Sequence, residues 1–363
     1  MSESFLDELL RPELAEIAPY TPHAGAYAVR LDANEAPPLL SESARARLAA
    51  AAAEIGWERY PDASVQELRE ALAARCGVSP EEVLVGVGSD ELIALLLTAL
   101  SMPRAGADVP VLLTTTPTFV MYKMSARVRG QRVLEVPLDG DWDLSSDALA
   151  AALRVGDPSV VFIASPNNPT GNLMSRDRLK TVIEAAPRSL VVIDEAYIDY
   201  ADRNQLDLYR TYDNVAVLRT LSKVGFAALR VGWLIGRPRL IAELDKVRLP
   251  YNMSVASQRL ATLAVGELGA EITRLASSVV AERQRLTAAL AELPSVNVTP
   301  SQSNFLWVQS ATPAKELFEG LKVRGILVRS FHERGGRLSQ WLRVTIGTPR
   351  ENDAFLAVYR ALV

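Results

Sequence analysis

One cysteine and two histidines are all that 363 residues carry of those types, and each scarcity removes a class of chemistry. Cys76 alone excludes an intrachain disulfide and reads as a buried, inert thiol. With only His23 and His332, neither a histidine-built metal centre nor a Ser-His-Asp triad has its parts. Blocks of like charge are also missing: 39 basic and 43 acidic residues are interspersed to a net charge of −4, which leaves no nucleic-acid footprint. The longest apolar helical run, 92–100, is far too short to cross a bilayer. Residues 1–11 alternate acids with apolar residues and lack a basic start followed by an apolar block, so no secretory signal is expected there. A cytoplasmic protein without membrane or nucleic-acid partners is the expectation. Catalysis, if present, falls to lysine, acids, tyrosine or a bound cofactor.

What is present is a regular alternation. Short apolar runs at 83–87, 111–115, 132–136, 160–164, 190–193, 215–218 and 231–235 predict strands. Helical patterns at 65–75, 90–100, 146–154 and 178–186 lie between them. Near-continuous Val/Ile/Leu strands separated by helices predict an α/β fold with a mostly parallel sheet covered on both faces. Ligands in such sheets sit outside the carboxyl ends of the strands. After Pro250 the pattern changes to a long helical stretch, 255–293, broken near 266–269, then strands at 304–308, 326–328 and 342–346 with helices at 315–323 and 352–362. The chain thus divides into an arm (1–33), a large domain (34–250) and a smaller α+β domain (251–363). No repeat is found, and only the alanine run at 49–53, an ordinary helix surface, is biased in composition.

The chemistry-bearing residues gather at the predicted strand ends. Lys223 follows the strand at 215–218 within Thr220-Leu221-Ser222-Lys223, and Asp194 directly ends the strand at 190–193. A lysine and an acid at neighbouring ends of parallel strands match what pyridoxal phosphate chemistry requires. The amine forms a Schiff base with the cofactor aldehyde, and the acid keeps the ring nitrogen protonated. A surface lysine is the usual fate of that residue type, but this one lies in an apolar, glycine-containing stretch, where burial and nearby cations favour the neutral amine. Asp194 ends a wholly apolar run, so it needs a cationic partner. Tyr197 stands close enough to donate to a phenolate oxygen.

Gly86-Val87-Gly88-Ser89-Asp90-Glu91 joins a strand to a helix, and such a turn with its serine is a phosphate cradle or simply a capped helix start. The third glycine of a dinucleotide fingerprint is missing. In Pro117-Thr118-Phe119-Val120-Met121-Tyr122, either aromatic ring can stack on a flat ligand or fill the core. Ser165-Pro166-Asn167-Asn168-Pro169-Thr170-Gly171 is dense turn punctuation that also offers a fixed amide to a ligand oxygen. Arg230, with the hydroxyls of Thr220 and Ser222, can hold a phosphate dianion. Arg329 and Arg343 suit an anionic substrate, or are solvated or ion-paired side chains.

Taken together, Leu31-Asp32-Ala33-Asn34-Glu35-Ala36-Pro37, Arg59-Tyr60-Pro61-Asp62, the Asn168-Pro169-Thr170-Gly171 turn and the Asp194 to Tyr197, Thr220 to Lys223 and Leu342 to Gly347 motifs resemble the class I/II, fold-type-I pyridoxal-phosphate aminotransferases. The likeness covers almost the whole chain and is closest to the group acting on histidinol phosphate, although Ala36 stands where that pattern carries asparagine. It implies cofactor contacts from Tyr60, Ser89, Asp90, Glu91, Phe119, Asn168, Asp194, Tyr197, Thr220, Ser222, Lys223 and Arg230. Tyr60 would reach the neighbouring subunit, which implies a homodimer. Lys223, Asp194 and Tyr197 would be catalytic, while Tyr20, Asn34, Arg329 and Arg343 would line the substrate side. The implied reaction passes an amino group between histidinol phosphate and 2-oxoglutarate, giving imidazole acetol phosphate and glutamate. An aromatic amino-acid aminotransferase and a phospho-amino-acid decarboxylase on the same fold are the alternatives, and no metal is expected.

Overall fold

A computed structural model describes residues 3–19, 25–104 and 106–363. Its strands are β1 (Val29–Leu31), β2 (Val83–Val87), β3 (Val111–Thr116), β4 (Arg132–Pro137), β5 (Val160–Ala164), β6 (Leu190–Asp194), β7 (Val215–Thr220), β8 (Val231–Ile235), β9 (Asn297–Thr299), β10 (Phe305–Gln309), β11 (Ile326–Ser330) and β12 (Trp341–Thr345). Seven of them form one sheet in the order β2-β8-β7-β6-β5-β3-β4. Every pair among β3 to β7 that lies side by side is parallel, as the alternation of strands and helices requires.

The period of two along each strand sends alternate residues to two cores. Val161, Ile163, Val191, Ile193, Val215 and Val217 enter the core on one face. Phe162, Val192, Ala216 and Leu218 enter that on the other, against Leu92, Ile93 and Leu96 of the Gly88–Ala99 helix. Each such fully buried side chain contributes about 1.5–3 kcal/mol. An unpartnered polar residue in these runs would therefore be costly: Asp194 and Thr220 stand at strand ends, and Arg219 inside β7 is paired with Glu195.

β8 runs antiparallel to both neighbours. The reason is the connection before it: between Thr220 and Val231 only a three-residue 3₁₀ turn, Ala227–Leu229, is formed, and a parallel return needs a longer crossover. That short connection stays at the carboxyl end of β7, and it carries Lys223 and Arg230.

The second sheet has the order β1-β11-β12-β10-β9. Helices Val255–Val265 and Gly269–Ala291 are separated by a break where the sequence predicted one. Residues 1–33, expected to be an arm, include β1, which pairs in parallel with β11 and so belongs to this smaller sheet. Three residues with one exposed centre are too short a signal to read from periodicity. Trp142, from the large sheet's side, inserts edge-on against Trp307 and Trp341, at centroid distances of 5.9 and 5.5 Å, and ties the two halves together. Among the described residues no helix is long and apolar enough to cross a membrane, and no His/Cys/Asp/Glu group could hold a metal ion.

Candidate active site

The carboxyl ends of β2, β3, β5, β6 and β7 converge on one cavity. At its floor is Asp194, the last residue of β6 and 4 % exposed. Its Oδ1 accepts from the Ala196 amide at 2.9 Å and its Oδ2 from the Tyr122 hydroxyl at 2.5 Å. No described cation pairs with it, and burial raises its pKa to about 6, against the opposing pull of the Tyr122 hydrogen bond. A buried acid left without a cation is a place built for one.

Lys223 reaches the same cavity from the β7–β8 connection, with Nζ 5.9 Å from the centre of the Tyr197 ring. It forms no ion pair with a described carboxylate, so its amine is available to a ligand. Tyr200 donates its hydroxyl to the Lys223 carbonyl oxygen, which fixes the backbone that presents the amine. Tyr197 packs edge-on against Phe305 at 5.1 Å and accepts at its hydroxyl oxygen from Asn34 Nδ2 at 3.0 Å.

The opposite end of the cavity suits a phosphate. The Gly88–Ala99 helix starts without a side-chain cap, so its first amides point outward unpaired. Gly88 takes φ +76°, and a Cβ on Gly232 would stand 2.5 Å from the Gly88 carbonyl carbon and 2.6 Å from the Ser89 nitrogen. Only glycine lets β8 lie this close under the turn. Arg230, itself left-handed at φ 52°, places Nη1 3.4 Å from Ser222 Oγ and Nη2 3.6 Å from Asp90. Thr220 Oγ1 lies 3.0 Å from Ser222 Oγ. Amides, hydroxyls and a guanidinium on one concavity are the donor set a phosphate dianion takes.

Beside this cavity a larger one, of about 650 Å³, opens between the two sheets. Arg329 and Arg343 stand opposite each other on β11 and β12 and both line it. Arg343 Nη1 donates to Asn168 Oδ1 and Nη2 to the Asp32 carbonyl oxygen, each at 2.6 Å. With its Oδ1 held by Arg343, Asn168 keeps its amide nitrogen for the first cavity, whose wall it forms with Phe119.

Other expected residues sit elsewhere. Glu91 does not line the cavity: its Oε2 accepts from the Val87 amide at 2.6 Å and from Asn252 Nδ2 at 2.8 Å, bracing the turn. Asn34 lines neither cavity. It is 1 % exposed, and its polar atoms go to Tyr197, Thr345 and Asn304. Tyr60 is 82 % exposed and stacks on Tyr251 at 4.9 Å, away from this chain's own cavity. Tyr20 lies outside the described residues.

Sequence reasoning passed over Tyr122 as a partner of Asp194, Arg334 at the rim of the larger cavity, and the Glu195–Arg219 pair. Glu195 is wholly buried and takes Arg219 Nε at 2.8 Å and Nη2 at 2.6 Å, with the Gln205 amide on its other oxygen at 2.5 Å. Burial pushes the Glu195 pKa up, while the guanidinium pulls the other way. Glu195, directly after Asp194, and Arg219, inside the apolar run of β7, were legible clues one by one, but their pairing was not. Glu195→Ala strands the guanidinium, so urea unfolding should show a loss of about 3–5 kcal/mol. A loss below about 1 kcal/mol would show that the pair is not the clamp joining β6 to β7.

The residues therefore fit pyridoxal phosphate: an unpaired amine, a buried acid lacking a cation, a phosphate cradle and an aromatic wall. Comparison with known proteins agrees. The family model described as "Aminotransferase class I and II" matches residues 27–358. A histidinol-phosphate aminotransferase of Chromobacterium violaceum is 41 % identical over 353 residues, 97 % of each chain. One of Methylibium petroleiphilum is 41 % identical over 338 residues, covering 92 % of this chain and 89 % of its own. The crystal structure of histidinol-phosphate aminotransferase from Sinorhizobium meliloti in complex with pyridoxal-5′-phosphate superposes with a TM-score of 0.84 at 25 % identity, covering 97 % of this chain and 98 % of that one. The chain belongs to the class I and II aminotransferase family.

Proposed function

We propose that this enzyme transfers the amino group of histidinol phosphate to 2-oxoglutarate, yielding imidazole acetol phosphate and glutamate, in histidine biosynthesis. The relatives quoted above support that substrate, and one observation in the structure carries it. Arg329 and Arg343 face each other across β11 and β12 into a cavity that adjoins the Lys223–Asp194 site. Two guanidiniums opposed at that position offer forks to a phosphate in one half-reaction and to a carboxylate in the other.

Bound in the first cavity, pyridoxal phosphate supplies a ring that accepts electron density from the substrate's α-carbon. The chain's residues do the rest. Lys223 would hold the cofactor through its amine and would carry the proton to and from the substrate α-carbon. Asp194 holds a proton on the ring nitrogen by its negative charge. Tyr197 and the Asn168 amide nitrogen, both on the cavity wall, would donate to the ring oxygen, and Phe119 would pack against the ring. The Ser89 and Asp90 amides, the Thr220 and Ser222 hydroxyls and Arg230 would hold the cofactor's phosphate. Arg343, already gripped by Asn168 and Asp32, is the pre-set carboxylate fork.

The same reading assigns residues 34–250 to a large cofactor-holding domain and 251–363 to a small C-terminal domain, with β1 pairing back to the latter. It also gives a cytoplasmic homodimer in which the exposed Tyr60 reaches the partner's phosphate.

The experiment is a donor screen on the purified protein with wild type and Arg329→Met. Wild type should prefer histidinol phosphate to phenylalanine. The variant should lose about ten- to a hundred-fold in kcat/KM for histidinol phosphate, the worth of a charge-assisted fork, with far less change for phenylalanine. Preference for phenylalanine would instead make it an aromatic aminotransferase. Carbon dioxide release without an oxoacid would make it a decarboxylase.

A further inference from the structure

Asp194 is turned by a side chain that the catalytic reading does not use. Of its two described hydrogen-bond donors, one is the local Ala196 amide and the other is the Tyr122 hydroxyl, 2.5 Å from Oδ2. Tyr122 is fully buried, and its ring is fixed on two sides. It stacks flat on Phe162 at 4.8 Å and 4°, and meets Phe119 edge-on at 5.5 Å and 85°. The hydroxyl thus has little freedom to point elsewhere. A phenylalanine would fill this space without burying a polar group, so the oxygen is present for its partner. Both Tyr122 and Asp194 form part of the cavity wall.

Resting on the function proposed above, we propose that Tyr122 is a positioning residue, whose hydroxyl holds the Asp194 carboxylate anionic and turned toward the ring nitrogen of the cofactor. The other groups facing this pair are Asp90, Glu195 and Tyr197, with Lys223 and Arg230 across the cavity. The neighbouring acids favour protonation of Asp194, while the phenol opposes it. Burial first, and Asp194 next, push Tyr122 well above the ordinary tyrosine range, so it keeps its proton and always donates. In this arrangement the platform ring Phe119, the phenol and the acid form one connected unit. A fault in Tyr122 therefore reaches the ring nitrogen without touching the cofactor's phosphate.

The test titrates cofactor-free protein with pyridoxal phosphate, followed by tryptophan fluorescence, from pH 5 to 8. In Tyr122→Phe the Kd at neutral pH should rise about ten-fold or more, and the pH below which binding weakens should move upward. In an Asp194→Asn background the same substitution should change Kd by less than about two-fold, because the partner is gone. An unchanged Kd in Tyr122→Phe overturns the proposal. So does an equal loss in both backgrounds, which would mean that the residue only packs. Placing 3-fluorotyrosine at 122 keeps the fold while making the phenol a stronger donor. Its binding midpoint should move to lower pH, and a fixed midpoint also overturns the idea. Wild type that fails to bind pyridoxal phosphate at all sinks the proposed function together with this inference, whereas normal wild-type binding with an insensitive variant removes this inference alone.

Discussion

Lys223→Ala should abolish turnover, with a fall of at least about four orders of magnitude in kcat, and should remove the visible absorbance of the purified protein. In the proposed function the amine has two jobs in one place, covalent tethering and proton transfer, and positioned acid–base groups alone are worth about 10²–10⁴. No described side chain can substitute. The Tyr197 ring, 5.9 Å from Nζ, has its hydroxyl oxygen already hydrogen-bonded by Asn34, and Arg230 donates to Ser222. Loss of this side chain leaves the surrounding geometry in place, because Lys223 contributes its carbonyl, not its amine, to the bond with Tyr200. The variant should therefore unfold at a similar denaturant midpoint to wild type. Absorbance spectra and steady-state rates decide the matter. A yellow, active Lys223→Ala protein would end the assignment of this lysine.

How much of this was visible in the bare sequence divides along physical lines. Local periodicity marks the strands, and a polar residue that ends an apolar strand must face something other than core. Asp194 was found by that rule, Lys223, Ser89 and the paired asparagines by lying just past such ends, and the structure brings Asp194, Lys223, Ser89 and Asn168 to one cavity. The rule speaks only of position along the chain. It does not say which of two adjacent asparagines faces the ligand. Asn167 proves wholly buried and is spent on Pro117, Thr118 and Thr170, leaving Asn168 at the wall. Nor does it give pairings made across the fold. Asn34 was expected beside the substrate but meets Thr345 and Tyr197. β1 joins a sheet built from the far end of the chain. Tyr122 looked like core filling because its ring does fill core, and only its oxygen reveals a partner. Tertiary proximity, not composition, fixed each of these. Arg343 lies between the two cases: it stands in the strand predicted at 342–346, while its hydrogen bonds to Asn168 and Asp32 needed the packed halves.

Asp194→Asn carries the other large effect, and it separates two consequences of one buried charge. Removing one member of a buried charge pair costs about 3–5 kcal/mol. If that is felt fully when charge develops on the ring, kcat should fall about 10²- to 10⁴-fold. The second consequence concerns the cofactor-free protein. Asp194 is raised from 3.8 to about 6 by burial, so the folded chain binds this proton more tightly than the unfolded chain does. Stability that depends on the protonated form is fully present below pH 3.8, and it is lost as pH rises through about 6. The span corresponds to roughly 3 kcal/mol. An asparagine neither charges nor pays this cost. Cofactor-free wild type should therefore lose stability relative to Asp194→Asn between pH 4 and 7 in urea unfolding. Seating a cation against the carboxylate should offset the loss, so the same comparison with pyridoxal phosphate bound should favour wild type at neutral pH. Parallel pH profiles for the two cofactor-free proteins would mean that Asp194 is not buried as a charge. The acid would then have no strain for a ring nitrogen to relieve.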